Sequence, residues 1–262
     1  MADPIHQFQI QKIVDLGAVN LPVFGRTELA ITNSHIAMTV AFVLILLFMQ
    51  FVTSGAKVVP GRLQTAGESL FDMIDGVTDS IIGHEGRKYF PFVFTLFLLV
   101  LVMNLLGMFL SFTATSQLAA TATFAALTIL LVIGIGFARN GLGFFKLFWP
   151  MSAPWYMRLP VGLIEFFSFL LRPITLALRL FGNMLGGHIA LKIFAGFVVA
   201  LGAGAIVGEG MGLWGLPVAA LSMSMVVALT ALEFLVAFLQ AFVFAVLASI
   251  YLNDVVNLGH GH

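Results

Sequence analysis

Five charged residues fall inside long apolar stretches of the chain: Glu165, Arg172, Arg179, Lys192 and Glu233. Arg179 is the most informative. It sits in LRPITLALRLFGNMLGGHIALKIF, from Leu171 to Phe194, which otherwise reads as membrane. An arginine at bilayer depth costs about 2.5–3.5 kcal/mol even on the mildest insertion scale. Its guanidinium cannot shed its proton, so the charge persists. On a helix, Glu165, Ser168, Arg172, Thr175, Arg179 and Asn183 are offset by 3, 7, 10, 14 and 18 residues from the first. They fall within a sector of about 80° and form a polar stripe about 27 Å long. His188 projects from roughly the opposite face, and Lys192 is placed to snorkel toward the membrane surface. A histidine titrates near neutrality, and a carboxylate beside it exchanges protons with it. His188 with Glu233 therefore suits proton relay, and Glu165 supplies a second titratable group at the other end of the stripe. Arg179 lies between them, a fixed cation separating two polar routes.

Composition says what must carry these residues. The chain has 262 residues, 60% hydrophobic and 9% charged, against about 25% charged in soluble domains. This is the composition of an integral membrane protein. Lys plus Arg balance Asp plus Glu at 12 each, which gives no electrostatic footprint for nucleic acid. The absence of cysteine excludes disulfides and thiolate metal sites. No metal or other cofactor is expected, and the Gly259–His262 tail reads as solvated. The first 35 residues are polar to mixed, without a cleavable-signal pattern.

Five apolar segments follow, at 36–53, 91–112, 120–138, 161–200 and 217–252. The expected fold is an all-α membrane protein with one integral membrane domain. A hydrocarbon core of about 30 Å needs about 20 helical residues. The last two segments, of 40 and 36 residues, would run about 60 and 54 Å. They must lie very obliquely or bend, with Pro173 and the Gly182, Gly186, Gly187 cluster as candidate bend points. Residues 62–84 are amphipathic, with Leu63, Leu70, Ile74, Val77 and Ile81 at helical spacing and Glu68, Asp72, Asp75 and Asp79 around the other faces. A surface helix against a protein partner fits, because its acidity opposes adhesion to anionic lipid. Loops 54–90 and 139–160 carry the Lys and Arg, so the positive-inside rule puts them in the cytoplasm or matrix. The N-terminus is then outside and the C-terminus inside.

In an antiparallel hairpin of the last two segments, facing residues keep a constant index sum. Nearly one register then sets Arg179 across from Gln240 and His188 across from Glu233. It also brings Glu165 toward Asn253 and Asp254.

At this point the residues resemble subunit a of F-type ATP synthases. The likeness is carried by R-L-F-G-N-M-x-x-G-x from Arg179 to His188, by Arg172–Pro173 before it, and by L-Q-A-F-x-F-x-x-L-x-x-x-Y-L from Leu239 to Leu252. It covers most of the chain and is strongest after residue 160. By this resemblance Arg179 matches the family's essential arginine, Asn183 its conserved asparagine and Gln240 its functional glutamine. Glu165 and Ser168 match the inner-side glutamate and serine. Many bacterial members carry a glutamate and a histidine where this chain has His188 and Glu233, so the two types are exchanged. In the segment TSQLAAT, Gln117 stands where aspartate or histidine is common. The resemblance implies a proton-translocating stator subunit with two offset half-channels serving a rotating ring of subunit c hairpins. It also implies peripheral stalk subunit b at the inner surface, with the 62–84 helix as its docking element. The chain would catalyse nothing alone, but would belong to an H+-transporting complex in a bacterial plasma membrane or mitochondrial inner membrane. The alternative is a stand-alone ion-coupled transporter or channel; such folds are commonly built on internal repeats, and the sequence shows none.

Overall fold

The computed structural model describes residues 12–21, 25–54, 57, 59–109, 117–149, 156–207 and 215–257. The Gly259–His262 tail and residues 113–116 of the loop before Gln117 lie outside the described residues. So do residues 208–214, between the two longest helices. The membrane part is all-α, as expected, with five helices long and apolar enough to cross a bilayer.

Ahead of them stands a β-hairpin that the sequence reading did not anticipate. Strand β1 (Lys12–Leu21) pairs antiparallel with β2 (Gly25–Thr32). Its signal is short: Leu29 and Ile31 alternate with Glu28 in an otherwise mixed segment. The register shifts between Asp15 and Gly17. Gly17 takes φ +98° there, a conformation that side chains with a Cβ rarely adopt.

Helix α1 spans Asn33–Thr53. The amphipathic helix α2 spans Arg62–Ile82, close to its expected bounds. It buries Gly67, Ile74, Thr78 and Ile82 and exposes Glu68, Asp72 and Asp79. Gly67 is required by α1, because a Cβ there would lie 2.7 Å from Val52 Cγ1. Helix α2 stops at Gly83, whose φ of +78° and N–H to Asp79 O form its C-cap. A 3-10 turn (His84–Lys88) leads into α3 (Phe90–Phe109). Helix α4 (Leu118–Asn140) continues into a 3-10 segment (Gly141–Phe148).

Helices α5 (Arg158–Val207) and α6 (Gly215–Val256) have 50 and 42 residues. They are longer than expected, about 75 and 63 Å at 1.5 Å per residue. Helix α5 runs without interruption through Pro173 and through Gly182, Gly186 and Gly187. The most apolar window of α5 is only 6% buried, against 56% for α3 and 50% for α6. So α5 presents most of its surface outward, whereas α3 and α6 carry much of the core. Phe97, Phe244, Leu176, Leu180 and Leu252 are among the largest fully buried side chains.

The chain groups into two compact units. The first comprises Met1–Val40, Met103–Gln117 and Leu180–Leu239; the second comprises Ala41–Val102, Leu118–Arg179 and Gln240–His262. The long helices are thus divided between units at Arg179/Leu180 and at Leu239/Gln240.

Candidate functional site

In the second unit, the end of α6 is tied to its neighbours by polar bonds. Asn140 Nδ2 donates to Val255 O at 2.7 Å, and Asn257 Nδ2 donates to Ile82 O at 3.2 Å. Gly136 admits this packing, since a Cβ there would meet Val255 Cγ1 at 2.8 Å and the ring of Phe144. Nearby, Arg139 pairs with Glu85.

The same unit holds the stripe from Glu165 to Arg179. Glu165 is partly buried, and Ser168 and Thr175 are exposed. Arg172 donates through Nη1 to Asp254 Oδ2 at 2.7 Å. Its guanidinium lies 4.9 Å from the Tyr251 ring centroid and 5.6 Å from that of Phe169. Charge, hydrogen bond and π faces all hold this arginine, so its charge is spent within the chain. Asp254 was expected near Glu165, but it is Arg172, about two turns along α5, that takes it. An arginine is long enough to span the offset between helix axes and claim the carboxylate for itself.

Arg179 is different. It is exposed on α5, and among the described residues no carboxylate lies within ion-pair distance of it. The helix flank beside it is apolar, with Leu171, Ile174 and Leu178 each about half exposed, while Thr175, one turn before it on its own face, is exposed as well. Gln240 of α6 is buried.

In the first unit, Asn183 is exposed and His188 and Lys192 are partly buried. Glu233 on α6 lies directly over Gly187: a Cβ on that glycine would sit against Oε1 and 3.1 Å from Cδ. The residue expected across from it was His188, the next along α5. The contact itself differs from the expected pair. Both carboxylate oxygens of Glu233 are buried, and neither has a hydrogen-bond partner among the described residues, so His188 and Glu233 are not hydrogen-bonded. A glycine under the carboxylate brings the backbones close enough for Glu233 to settle on the helix surface.

The chain as a whole has relatives among known proteins. The family described as ATP synthase A chain matches residues 35–253. ATP synthase subunit a of Rhodopseudomonas palustris (strain BisB18) is 48% identical over 261 residues, covering 99% of this chain and 100% of that protein. ATP synthase subunit a of Hyphomonas neptunium is 48% identical over 257 residues, covering 97% of this chain and 96% of that protein. That of Nitrobacter hamburgensis is 47% identical over 261 residues, at 99% and 100% coverage.

The chain belongs to the ATP synthase A chain family.

The matched range takes in every site residue from Glu165 to Gln240 and leaves the β-hairpin outside it. Membership and five apolar helices make this a multi-pass membrane protein. Two residues of the site region escaped the sequence reading. Gly187 was noticed only as a bend point, and Asn104 of α3 was not singled out. The available signal was a single strongly polar residue inside an apolar run, LLVLVMNLLGMF.

Proposed function

We propose that this chain is the stator subunit of an ATP synthase that moves protons across the membrane through two offset half-channels, loading and unloading carboxylates on a rotating subunit c ring. One observation carries the reading. Arg179 is an exposed, permanently charged side chain within a long apolar helix, with no carboxylate among the described residues within ion-pair distance. A cation at depth needs an anion, and an anion presented by a second membrane chain meets that need.

A proton arrives from the outer side past Asn183, His188, Glu233 and Gln240 and neutralises a ring carboxylate, which then enters lipid. After nearly a full turn the carboxyl reaches the inner route at Glu165 and Ser168 and ionises. Arg179 favours the ionised form. At about 4 Å and an effective dielectric near 20 the attraction is of order 4 kcal/mol before desolvation. That exceeds the roughly 2.3 kcal/mol that one charge gains across 100 mV, so it suffices to gate release. The same charge repels a proton passing straight between the routes. Helices α5 and α6 lie obliquely to follow the ring, α2 faces peripheral stalk subunit b, and the N-terminus is outside with the C-terminus inside. The family assignment disfavours a stand-alone transporter.

The test is ATP-driven acidification of inverted membrane vesicles carrying Arg179→Ala in the whole complex. Coupled pumping is expected to fall at least about 100-fold, and Arg179→Lys to be severely impaired because the fork geometry is lost. Wild-type pumping by Arg179→Ala overturns the proposal.

A further inference from the structure

The second unit carries a surface that neither its packing nor the proton path uses. Helix α4, at 23 residues, already spans a hydrocarbon core of about 30 Å. The apolar run nevertheless continues through the 3-10 segment to Phe148. Only part of that segment turns inward. Phe144 is buried, with its ring centroid 4.8 Å from that of Phe137 and 6.3 Å from that of Phe169. Leu142 and Phe145, one 3-10 turn apart on another face, are 85% and 56% exposed. Trp149 and Tyr156 are exposed as well.

The charges around this surface have one sign. From Arg139 to Pro160 the chain carries Arg139, Lys146 and Arg158 and no Asp or Glu. Arg139 is paired with Glu85. Lys146 is exposed, and among the described residues no carboxylate lies within ion-pair distance of it. It shares a face with Trp149, whose N–H closes the last turn on Lys146 O at 3.1 Å. Arg158 of α5 is brought to the same end of the segment. A Cβ on Gly162 would lie 2.5 Å from Phe148 O, so the 3-10 segment ends against the first turns of α5. Arg158 stands one turn before that glycine on the same face. The rings of Phe148 and Phe166, with centroids 5.5 Å apart, complete the contact. Two basic residues distant in sequence are thus set at one edge of an exposed apolar face.

We infer that the 3-10 segment Gly141–Phe148 and the start of α5 form a binding site for an anionic phospholipid of the inner leaflet: Lys146 and Arg158 take the headgroup phosphate, and Leu142 and Phe145 lie against the acyl chains. Trp149 and Tyr156 supply the aromatic contacts of the headgroup level. Aromatic and basic residues without acids are the composition of a membrane interface. The segment is about 16 Å long at 2.0 Å per residue and is joined directly to a membrane helix, which keeps it at that level. The sign of the charge selects the lipid. A zwitterionic headgroup brings its own cation toward the two basic side chains, and an anionic one does not. Helix α2 is the opposite case: it exposes Glu68, Asp72 and Asp79, which repel such a lipid. Because the segment packs on Gly162, a bound lipid also braces the inner end of the helix that carries Arg179. This rests on the orientation proposed above and not on the proton path.

The experiment uses the assembled complex in nanodiscs, with Leu142→Cys as its single cysteine and a bimane fluorophore attached there. Phosphatidylcholine nanodiscs are doped to the same low fraction with spin-labelled phosphatidylglycerol or with spin-labelled phosphatidylcholine. Each basic side chain near an anionic headgroup is worth about fivefold in occupancy. Quenching by the anionic lipid is therefore expected to exceed quenching by the zwitterionic one at least about fivefold at low salt. Lys146→Gln should cut that ratio severalfold, and Lys146→Gln with Arg158→Gln should bring it near one. Equal quenching by the two lipids in the parent complex overturns the inference, because the contact is then ordinary bilayer. Absence of quenching by either overturns it too, because a protein then covers Leu142. If the double variant does not assemble, an unchanged ratio in Lys146→Gln is decisive against the site. Both leaflets of a nanodisc have one composition, so these outcomes do not depend on orientation. Orientation is tested by Lys57→Cys, which a membrane-impermeant maleimide should label in inverted vesicles and not in right-side-out ones. The reverse labelling refutes the inner-leaflet placement alone.

Discussion

Helix α6 carries two charged residues, Asp254 and Glu233, about 30 Å apart along its axis. They belong to different compact units of the chain. In the second unit Asp254 is closed: Arg172 donates to it at 2.7 Å, and Tyr251, on the same face of α6, stacks on that guanidinium. In the first unit Glu233 is open: its oxygens are buried over Gly187 with no partner among the described residues. A carboxylate clamped by a guanidinium has its charge state decided by the fold. One held in apolar surroundings without a counter-ion has it decided by whatever proton arrives. The same contrast runs along α5, where Arg172 is paired with Asp254 and Arg179, seven residues on, has no carboxylate within ion-pair distance among the described residues.

The sharpest way to break this comparison is to exchange its consequences. Glu233→Gln keeps the size and removes the titration, so proton flux is expected to fall more than tenfold while the melting temperature of the detergent-solubilised complex stays put. Asp254→Asn is expected to do the reverse, destabilising by about 1.5–3 kcal/mol with flux changed far less. The swap Arg172→Asp with Asp254→Arg should recover at least half of the lost stability. Flux that collapses in Asp254→Asn at unchanged melting temperature would erase the distinction.

A smaller effect is expected at Gly187. An alanine there displaces the Glu233 carboxylate, an inexpensive shift for a flexible side chain, so flux should drop severalfold with little change in stability. Gly186→Ala meets open space and should stay within twofold of wild type. Equal behaviour of the two variants would show that the seat beneath Glu233 is immaterial. The smallest effect belongs to Glu85→Gln. It breaks the pair with Arg139, whose two side chains are both partly exposed, so flux should not change and the melting temperature should fall only slightly.

Local signals were enough for much of this molecule. The five spans, the amphipathic α2 and the two overlong helices were legible because apolar runs and helical periodicity are properties of contiguous residues. Arg179 announced itself because one permanent charge in an apolar run is costly wherever the helix is placed. The motif around Arg179 and the one ending at Leu252 carried the family. The β-hairpin was missed because its alternation spans only a few residues in a mixed segment.

What local pattern could not decide was which polar group meets which. Arg172 and Arg179 are equivalent on a helical wheel, and only the packed helices assign Asp254 to the first. Glu233 was expected to face His188, and it lies over Gly187. Whether His188 or Gly187 lies beneath the carboxylate depends on helix rotation, which a one-dimensional register does not contain. Asn104 lies more than a hundred positions from Ala237, to whose carbonyl its Nδ2 donates at 3.3 Å, and no spacing in the chain relates them. The sequence by itself determined where the charges are and that they are too deep to be idle. The tertiary structure decided which are neutralised and which are left open, because partnership is set by the approach of side chains from different helices.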